Sequence, residues 1–95
     1  MMNNYPKMTK LARKLPTFAP GSPLRDTPGI EPFDTVRLRD WIKNSHCSAG
    51  ERMAARFLLM AFNGDAFGAQ FNLADALRVL DREHREVISA FCLDP

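Results

Sequence analysis

The chain has 95 residues, of which 45% are hydrophobic and 25% are charged, and its formal net charge is +2 at pH 7. These values are typical of a soluble globular protein with at most one domain, and a core this small leaves little room for a substrate cleft. No apolar run approaches the roughly 20 residues that span a bilayer, and two cysteines are too few for a disulfide-stapled secreted protein. We therefore expect a cytoplasmic protein with reduced thiols and no membrane segment.

The first 32 residues are basic and rich in proline. They hold six of the seven prolines, and five basic against two acidic side chains give them a formal charge of +3. Proline lacks a backbone donor and pushes its preceding residue toward extended geometry. We expect residues 1–32 to form a basic arm, extended from Pro16 to Pro32, with turns at Pro20-Gly21 and Pro28-Gly29. A short helix over 7–15 would fit between the first two prolines of this arm.

Two helices are predicted over residues 34–63. Asp34 can cap the first helix, and Phe33 and Leu38 have the spacing of a hydrophobic staple. The second helix begins at Ser48, because Ser48 and Glu51 form the sequence pattern of a capping box. It should end near Asn63.

Six consecutive apolar residues occupy the C-terminal half of this second helix, from Phe57 to Phe62. At about 100° per residue they point in every direction around the helix axis. A helix that is apolar all round must be covered from several sides. This run is the main reason to expect a partner surface.

The remaining residues predict a loop followed by one or two helices. Phe67 and Phe71 in the loop over residues 64–71 should tuck into the core, and Asn72 should cap a helix with Leu73, Leu77 and Leu80 inward. Asp81 can cap a further helix, although the two helices could equally be one bent rod. The predicted fold class is all-α: a compact bundle of three to four short helices over residues 33–95, preceded by the arm.

A resemblance rests on three stretches of the chain: S-A-G-E-R-M-A-A-R-F-L-L-M-A-F-N-G, F-N-L-A-D-A-L-R-V-L-D and V-I-S-A-F-C-L-D. Over about residues 48–94 the chain resembles a family of small uncharacterised helical proteins encoded on bacterial integrative elements and plasmids. The resemblance implies a helical fold and carries no catalytic residues. It also implies the tasks of mobile-element accessory proteins, such as inhibiting a CRISPR defence effector or modulating another host complex.

Metal binding and catalysis are both disfavoured by the sequence. A zinc site would recruit His46, Cys47, His84 and Cys92, but their spacing does not give the two short-range ligand pairs of structural zinc sites. Cys47 lies beside His46 at a helix N-terminus, where a thiol can be activated. However, no orienting acid stands at a recognisable spacing. We predict a non-enzymatic protein without metal or cofactor.

Three kinds of partner stay open. The first is a protein, bound through the arm and the loop; the predicted contact residues are Lys10, Leu11, Arg13, Lys14, Phe18 and Phe67. The second is nucleic acid, bound through the basic N-terminal segment and candidate phosphate contacts at Arg78, Arg82 and Arg85. For these arginines, i,i+4 pairing with acidic residues on a solvated helix is the favoured interpretation. The third is a homodimer formed through the apolar face of the helix over 48–63.

Overall fold

The computed structural model describes residues 5–63 and 71–93, and all regular secondary structure in these residues is helical. The five α-helices are α1 (Tyr5–Lys14), α2 (Thr35–Asn44), α3 (Ala49–Asn63), α4 (Leu73–Val79) and α5 (Arg82–Leu93), with one 3₁₀ turn at Pro16–Phe18. The expected all-α class is confirmed. The chain divides into two compact units, Met1–His46 and Cys47–Pro95.

The start of α2 follows the sequence prediction closely. The Asp34 carboxylate accepts hydrogen bonds from the amides of Val36 (2.9 Å) and Arg37 (3.2 Å), which are free donors of the first helical turn. Phe33 and Leu38, the predicted staple, are both buried. The capping signal therefore predicted this helix end correctly.

The segment between α1 and α2, residues 15–34, is called the turn segment here, and it is not the extended arm that its prolines suggested. Backbone hydrogen bonds close successive turns: the Ser22 amide donates to the Ala19 carbonyl oxygen (2.8 Å), and the Arg25 amide donates to the Ser22 carbonyl oxygen (3.2 Å). Four large apolar residues of this segment are buried, and Leu24 is half-buried; the buried ones are Leu15, Phe18, Ile30 and Phe33. Proline excludes long helix or sheet but permits tight turns, and burial of these side chains favours a folded segment over an extended one.

Gly29 allows the turn segment to pass close to the beginning of α2. Its φ is +94°, and a β-carbon at this position would lie 2.6 Å from the Asp34 carbonyl oxygen and 2.6 Å from the Leu38 amide nitrogen. Both the left-handed backbone and the close approach require a residue without a side chain. The predicted Pro28-Gly29 turn is thereby confirmed.

The second unit is organised around α3. Ser48 and Glu51 form the predicted capping box: the Ser48 amide donates to the Glu51 carboxylate (2.9 Å), and the Glu51 amide donates to the Ser48 hydroxyl (3.1 Å). Phe57, Leu58 and Leu59 are buried. The Phe57 ring contacts Phe71 and Phe91, with centroid separations of 5.8 and 5.5 Å. Much of the apolar run is thus covered by the chain itself, which weakens the argument that it needs a partner or a second copy.

α4 and α5 are separate helices joined at Leu80 and Asp81. Leu80 has extended backbone angles (φ −86°, ψ 147°), and the Asp81 carboxylate accepts from the His84 amide (3.0 Å) to cap α5. The prediction that Leu73 and Leu77 point inward is wrong, since they are 47% and 45% exposed, while Ala76 and Leu80 are buried. The buried side of α4 is centred on these last two residues, so the two leucines lie at its edge.

Phe67 and Phe71 were both predicted to tuck into the core. Phe71 is buried as predicted, whereas Phe67 lies outside the described residues. In the ranges 5–63 and 71–93, no helix is both long and apolar enough to cross a membrane.

Candidate functional site

The outer surface of α1 is a stripe of three lysines. Met8 and Ala12 face the interior of the first unit, whereas Lys7, Lys10 and Lys14 are exposed. Steps of three and four residues keep the lysines within an arc of about 60° and spread them over about 10 Å of helix. No acidic residue occurs in this helix. We call this stripe the lysine face (Lys7, Lys10 and Lys14).

The positive charge of the chain is concentrated in the unit that carries the lysine face. Residues 1–46 hold eight basic and four acidic side chains, a formal charge of +4, and residues 47–95 hold five basic and seven acidic side chains, a formal charge of −2. Lys10 and Lys14 make no ion pair within the described part of the chain. The lysine face is therefore a positively charged surface with at least two cations available to an anionic partner.

Arg13, a predicted partner contact, is held by the turn segment. Its Nη1 donates to the carbonyl oxygens of Phe18 (3.0 Å) and Arg25 (2.6 Å), and its Nη2 is 2.7 Å from a carboxylate oxygen of Glu31. Only 23% of the Arg13 side chain is exposed. A guanidinium presents several donors in a rigid plane, so one side chain can satisfy carbonyls and a carboxylate together.

Phe18, predicted as an apolar anchor for a partner, is fully buried. Its ring meets Trp41 of α2 edge to face, with centroids 6.1 Å apart and planes inclined by 70°. This finding removes Phe18 from the candidate surface. Leu11 is half-buried, and Lys10 and Lys14 are exposed as expected. Lys7 was predicted only as part of the basic N-terminal segment of the nucleic-acid alternative and was absent from the predicted protein-contact set.

The three arginines proposed as phosphate contacts all have partners inside the second unit. Arg78 pairs with Asp75, Arg82 pairs with Glu86 (3.3 Å), and Arg85 donates to the Leu77 carbonyl oxygen (3.1 Å). These are mostly exposed pairs, which contribute little stability each. Only the Arg82–Glu86 pair has the expected i,i+4 spacing, since Arg78 pairs at i,i+3 and Arg85 contacts a backbone carbonyl.

The beginning of α5 carries a histidine and a carboxylate in contact. His84 is buried, and its Nδ1 lies 2.7 Å from the Asp81 carboxylate, which also accepts from the His84 amide. The hydrogen bond from this amide, and then the one with the ring, hold the pKa of Asp81 below its usual value. Cys47 is half-buried and Cys92 is exposed, and both are free thiols. Within residues 5–63 and 71–93 no three His, Cys, Asp or Glu side chains are grouped to hold a metal ion.

Comparisons with protein-family models, curated proteins and solved structures find no match for this chain. The resemblance of residues 48–94 to mobile-element proteins therefore stays a prediction. Among the described surfaces of the two units, the lysine face is the most distinctive.

Proposed function

We propose that the chain is a non-enzymatic protein-binding module whose lysine face docks on an acidic surface of a partner protein. The observation that carries this proposal is the exposure of Lys10 and Lys14 beside Lys7 on a helix without acidic residues. The opposite side of α1 is buried through Met8 and Ala12, so this anchored helix keeps its lysines on the side away from the interior of the first unit. Complementary charges speed up association and disfavour partners of the wrong sign.

Several observations favour a protein over nucleic acid as the partner. Phosphate-driven binding with a strong salt dependence rests on roughly six to ten phosphate contacts, whereas Lys10 and Lys14 are the two cations of the lysine face without an ion pair in the described part of the chain. The guanidinium of Arg13, on the same helix, is already engaged by Phe18, Arg25 and Glu31. Arg78 and Arg82 of the second unit are paired with acidic residues, and that unit has a formal charge of −2 from five basic and seven acidic residues. An acidic protein patch of similar length matches the lysine face better.

We also propose a biological setting for this binding module. The resemblance of residues 48–94 to proteins of bacterial mobile elements supports a role as an inhibitor or modulator of a host complex, for example a defence effector. A cytoplasmic location, expected from the sequence, belongs to the same proposal. Neither bears on the lysine face, so the binding proposal can be tested without them.

The test compares two double charge reversals of equal size in the first unit. K10E/K14E alters the lysine face, and R39E/K43E alters an exposed pair of α2 with the same i,i+4 spacing. A partner captured by the tagged full chain from host lysate is purified and titrated by calorimetry against each variant. We expect K10E/K14E to weaken binding at least about tenfold and R39E/K43E to weaken it less than about twofold. Equal losses of affinity in the two variants would show that the partner responds to net charge and not to the lysine face, and would contradict the proposal.

Nucleic-acid binding is the second candidate, favoured by the formal charge of +4 that eight basic and four acidic residues give the first unit. Fluorescence anisotropy with labelled duplex DNA, single-stranded DNA and RNA tests it directly. Phosphate-driven binding should weaken steeply between about 50 and about 200 mM salt, with a slope that follows the number of phosphate contacts. Micromolar binding at the higher salt, lost in K10E/K14E, would favour this candidate over the first.

A further inference from the structure

An ion pair stands beside the lysine face on α1. Arg13 follows Lys10 by three residues, so the two side chains are neighbours on the helix surface. The partner of Arg13 is Glu31 of the turn segment, with 2.7 Å between Nη2 and the carboxylate oxygen. The Glu31 side chain is 64% exposed, so solvent and a docked protein can both reach this carboxylate.

The two ends of the Arg13 guanidinium have different surroundings. Nη1 donates hydrogen bonds to the carbonyl oxygens of Phe18 and Arg25, which belong to the backbone of the turn segment. Nη2 is the end that meets the side-chain carboxylate of Glu31. A carboxylate can leave Nη2 by a side-chain rotation, whereas the carbonyls can leave Nη1 only if the turn segment moves. Nη2 is therefore the exchangeable position of this guanidinium.

We propose that Glu31 is an autoinhibitory stand-in for a carboxylate of the acidic partner, and that docking on the lysine face exchanges Glu31 for the partner's carboxylate at Arg13 Nη2. This inference rests on the proposed function. A partner carboxylate held by Lys10 lies next to Arg13, where it competes with Glu31 for the same donor. Release of Glu31 also removes a negative charge from the edge of the lysine face, which favours the acidic partner further.

The fold of the turn segment does not depend on the Glu31 carboxylate alone. Thr9 donates to the Ile30 carbonyl oxygen (2.8 Å), and Asp34 donates its amide to the Gly29 carbonyl oxygen (2.8 Å). Together with the two bonds to Arg13 Nη1, these contacts hold the backbone on both sides of residue 31. A glutamine at this position can still accept a neutral hydrogen bond from Nη2, which is weaker than a charge-assisted one.

The test uses the full chain and fluorescently labelled poly-L-glutamate as the acidic probe. E31Q removes the proposed competitor, and D26N is its matched control, because Asp26 is another exposed carboxylate of the turn segment and pairs with Arg25 at 3.6 Å. Both variants change the charge of the first unit equally. We expect E31Q to bind the probe about two- to fivefold more tightly than the unaltered chain, the range of an exposed ion pair, and D26N to change affinity clearly less.

A second measurement follows the exchange in the unaltered chain. The Arg13 side-chain Nε–Hε resonance in NMR spectra should shift during titration with poly-L-glutamate, in parallel with the side-chain resonances of Lys10. A shift confined to the lysines would show that Glu31 stays on Arg13. This readout does not require the E31Q variant to fold.

The outcomes separate the inference from the proposed function. If K10E/K14E still binds poly-L-glutamate as the unaltered chain does, the proposed function fails. If K10E/K14E loses binding but E31Q gains no more than D26N, only the autoinhibitory role of Glu31 is overturned. Tighter binding of a DNA duplex than of poly-L-glutamate at equal charge concentration would assign the lysine face to phosphate and overturn both.

Discussion

The rings of Phe18 and Trp41 pack edge to face, with centroids 6.1 Å apart, and join the turn segment to α2 within the first unit. Phe18 is fully buried although five prolines follow α1 over residues 16–32. Trp41 is the single tryptophan of the chain, so its fluorescence reports on this unit alone. The pair therefore offers both a test of the fold and the means to measure it.

Replacing Phe18 by alanine should destabilise the first unit by about 3 to 5 kcal/mol, because it removes a buried aromatic ring and leaves a cavity beside Trp41. Urea unfolding followed by tryptophan fluorescence measures this change. F18L, which keeps most of the volume, should cost less. An F18A chain with unchanged unfolding midpoint and emission maximum would contradict the burial of this ring.

Replacing Gly29 by alanine should destabilise the same unit by at least about 2 kcal/mol, since the β-carbon would require a strained φ and a shift of the α2 backbone. Gly21 provides the control: an added β-carbon there meets no atom within 4 Å. G21A should change stability by less than about 0.5 kcal/mol. Similar unfolding curves for the two variants would argue against the close approach at Gly29.

Local signals in the sequence predicted the helix starts of both units. Asp34, Ser48 and Asn72 each accept a hydrogen bond from an amide two or three residues ahead, as their spacing indicated. Such caps depend only on a few neighbouring residues, and so a sequence pattern is enough to place them.

Features that depend on tertiary packing were not predictable in the same way. The prolines correctly excluded long helices. However, no local sequence pattern indicated that Arg13 would donate hydrogen bonds to the carbonyl oxygens of Phe18 and Arg25. The helical pattern of α4 predicted the burial of Leu80, but it could not indicate that Ala76 is buried while Leu73 and Leu77 are exposed. Of the predicted partner contacts, the lysines of α1 could be found from spacing alone, because exposed residues on one helix face need no knowledge of the fold.

The Ser48 cap should contribute measurably to the second unit. S48A removes the hydroxyl that accepts from the Glu51 amide, leaving a free donor in the first turn of α3, and we expect a loss of about 1 kcal/mol. Thermal unfolding followed by far-UV circular dichroism gives the difference, with S48T as the variant that retains a hydroxyl cap. An equal loss in S48T and S48A would show that the hydroxyl does not act as a cap.

The Asp81 cap predicts a specific dependence of stability on pH. The His84 amide, and then the His84 ring, lower the pKa of the Asp81 carboxyl in the folded chain. A carboxyl with a lowered folded pKa binds its proton more readily in the unfolded chain, whose value is about 3.9. Its contribution is therefore fully present above about pH 4 and is lost as the pH falls through the lower, folded pKa.

D81N should consequently be less stable than the unaltered chain near neutral pH, and the difference should shrink as the pH is lowered below about 4. Because 65% of the Asp81 side chain is exposed, solvent screening should keep the charge-dependent part of this difference below about 1 kcal/mol. Urea unfolding of D81N and of the unaltered chain, at a series of pH values from about 7 to about 2, measures the stability difference and its change with pH. A stability difference that stays constant across this pH range would mean that the charge of the Asp81 carboxylate does not contribute to the cap.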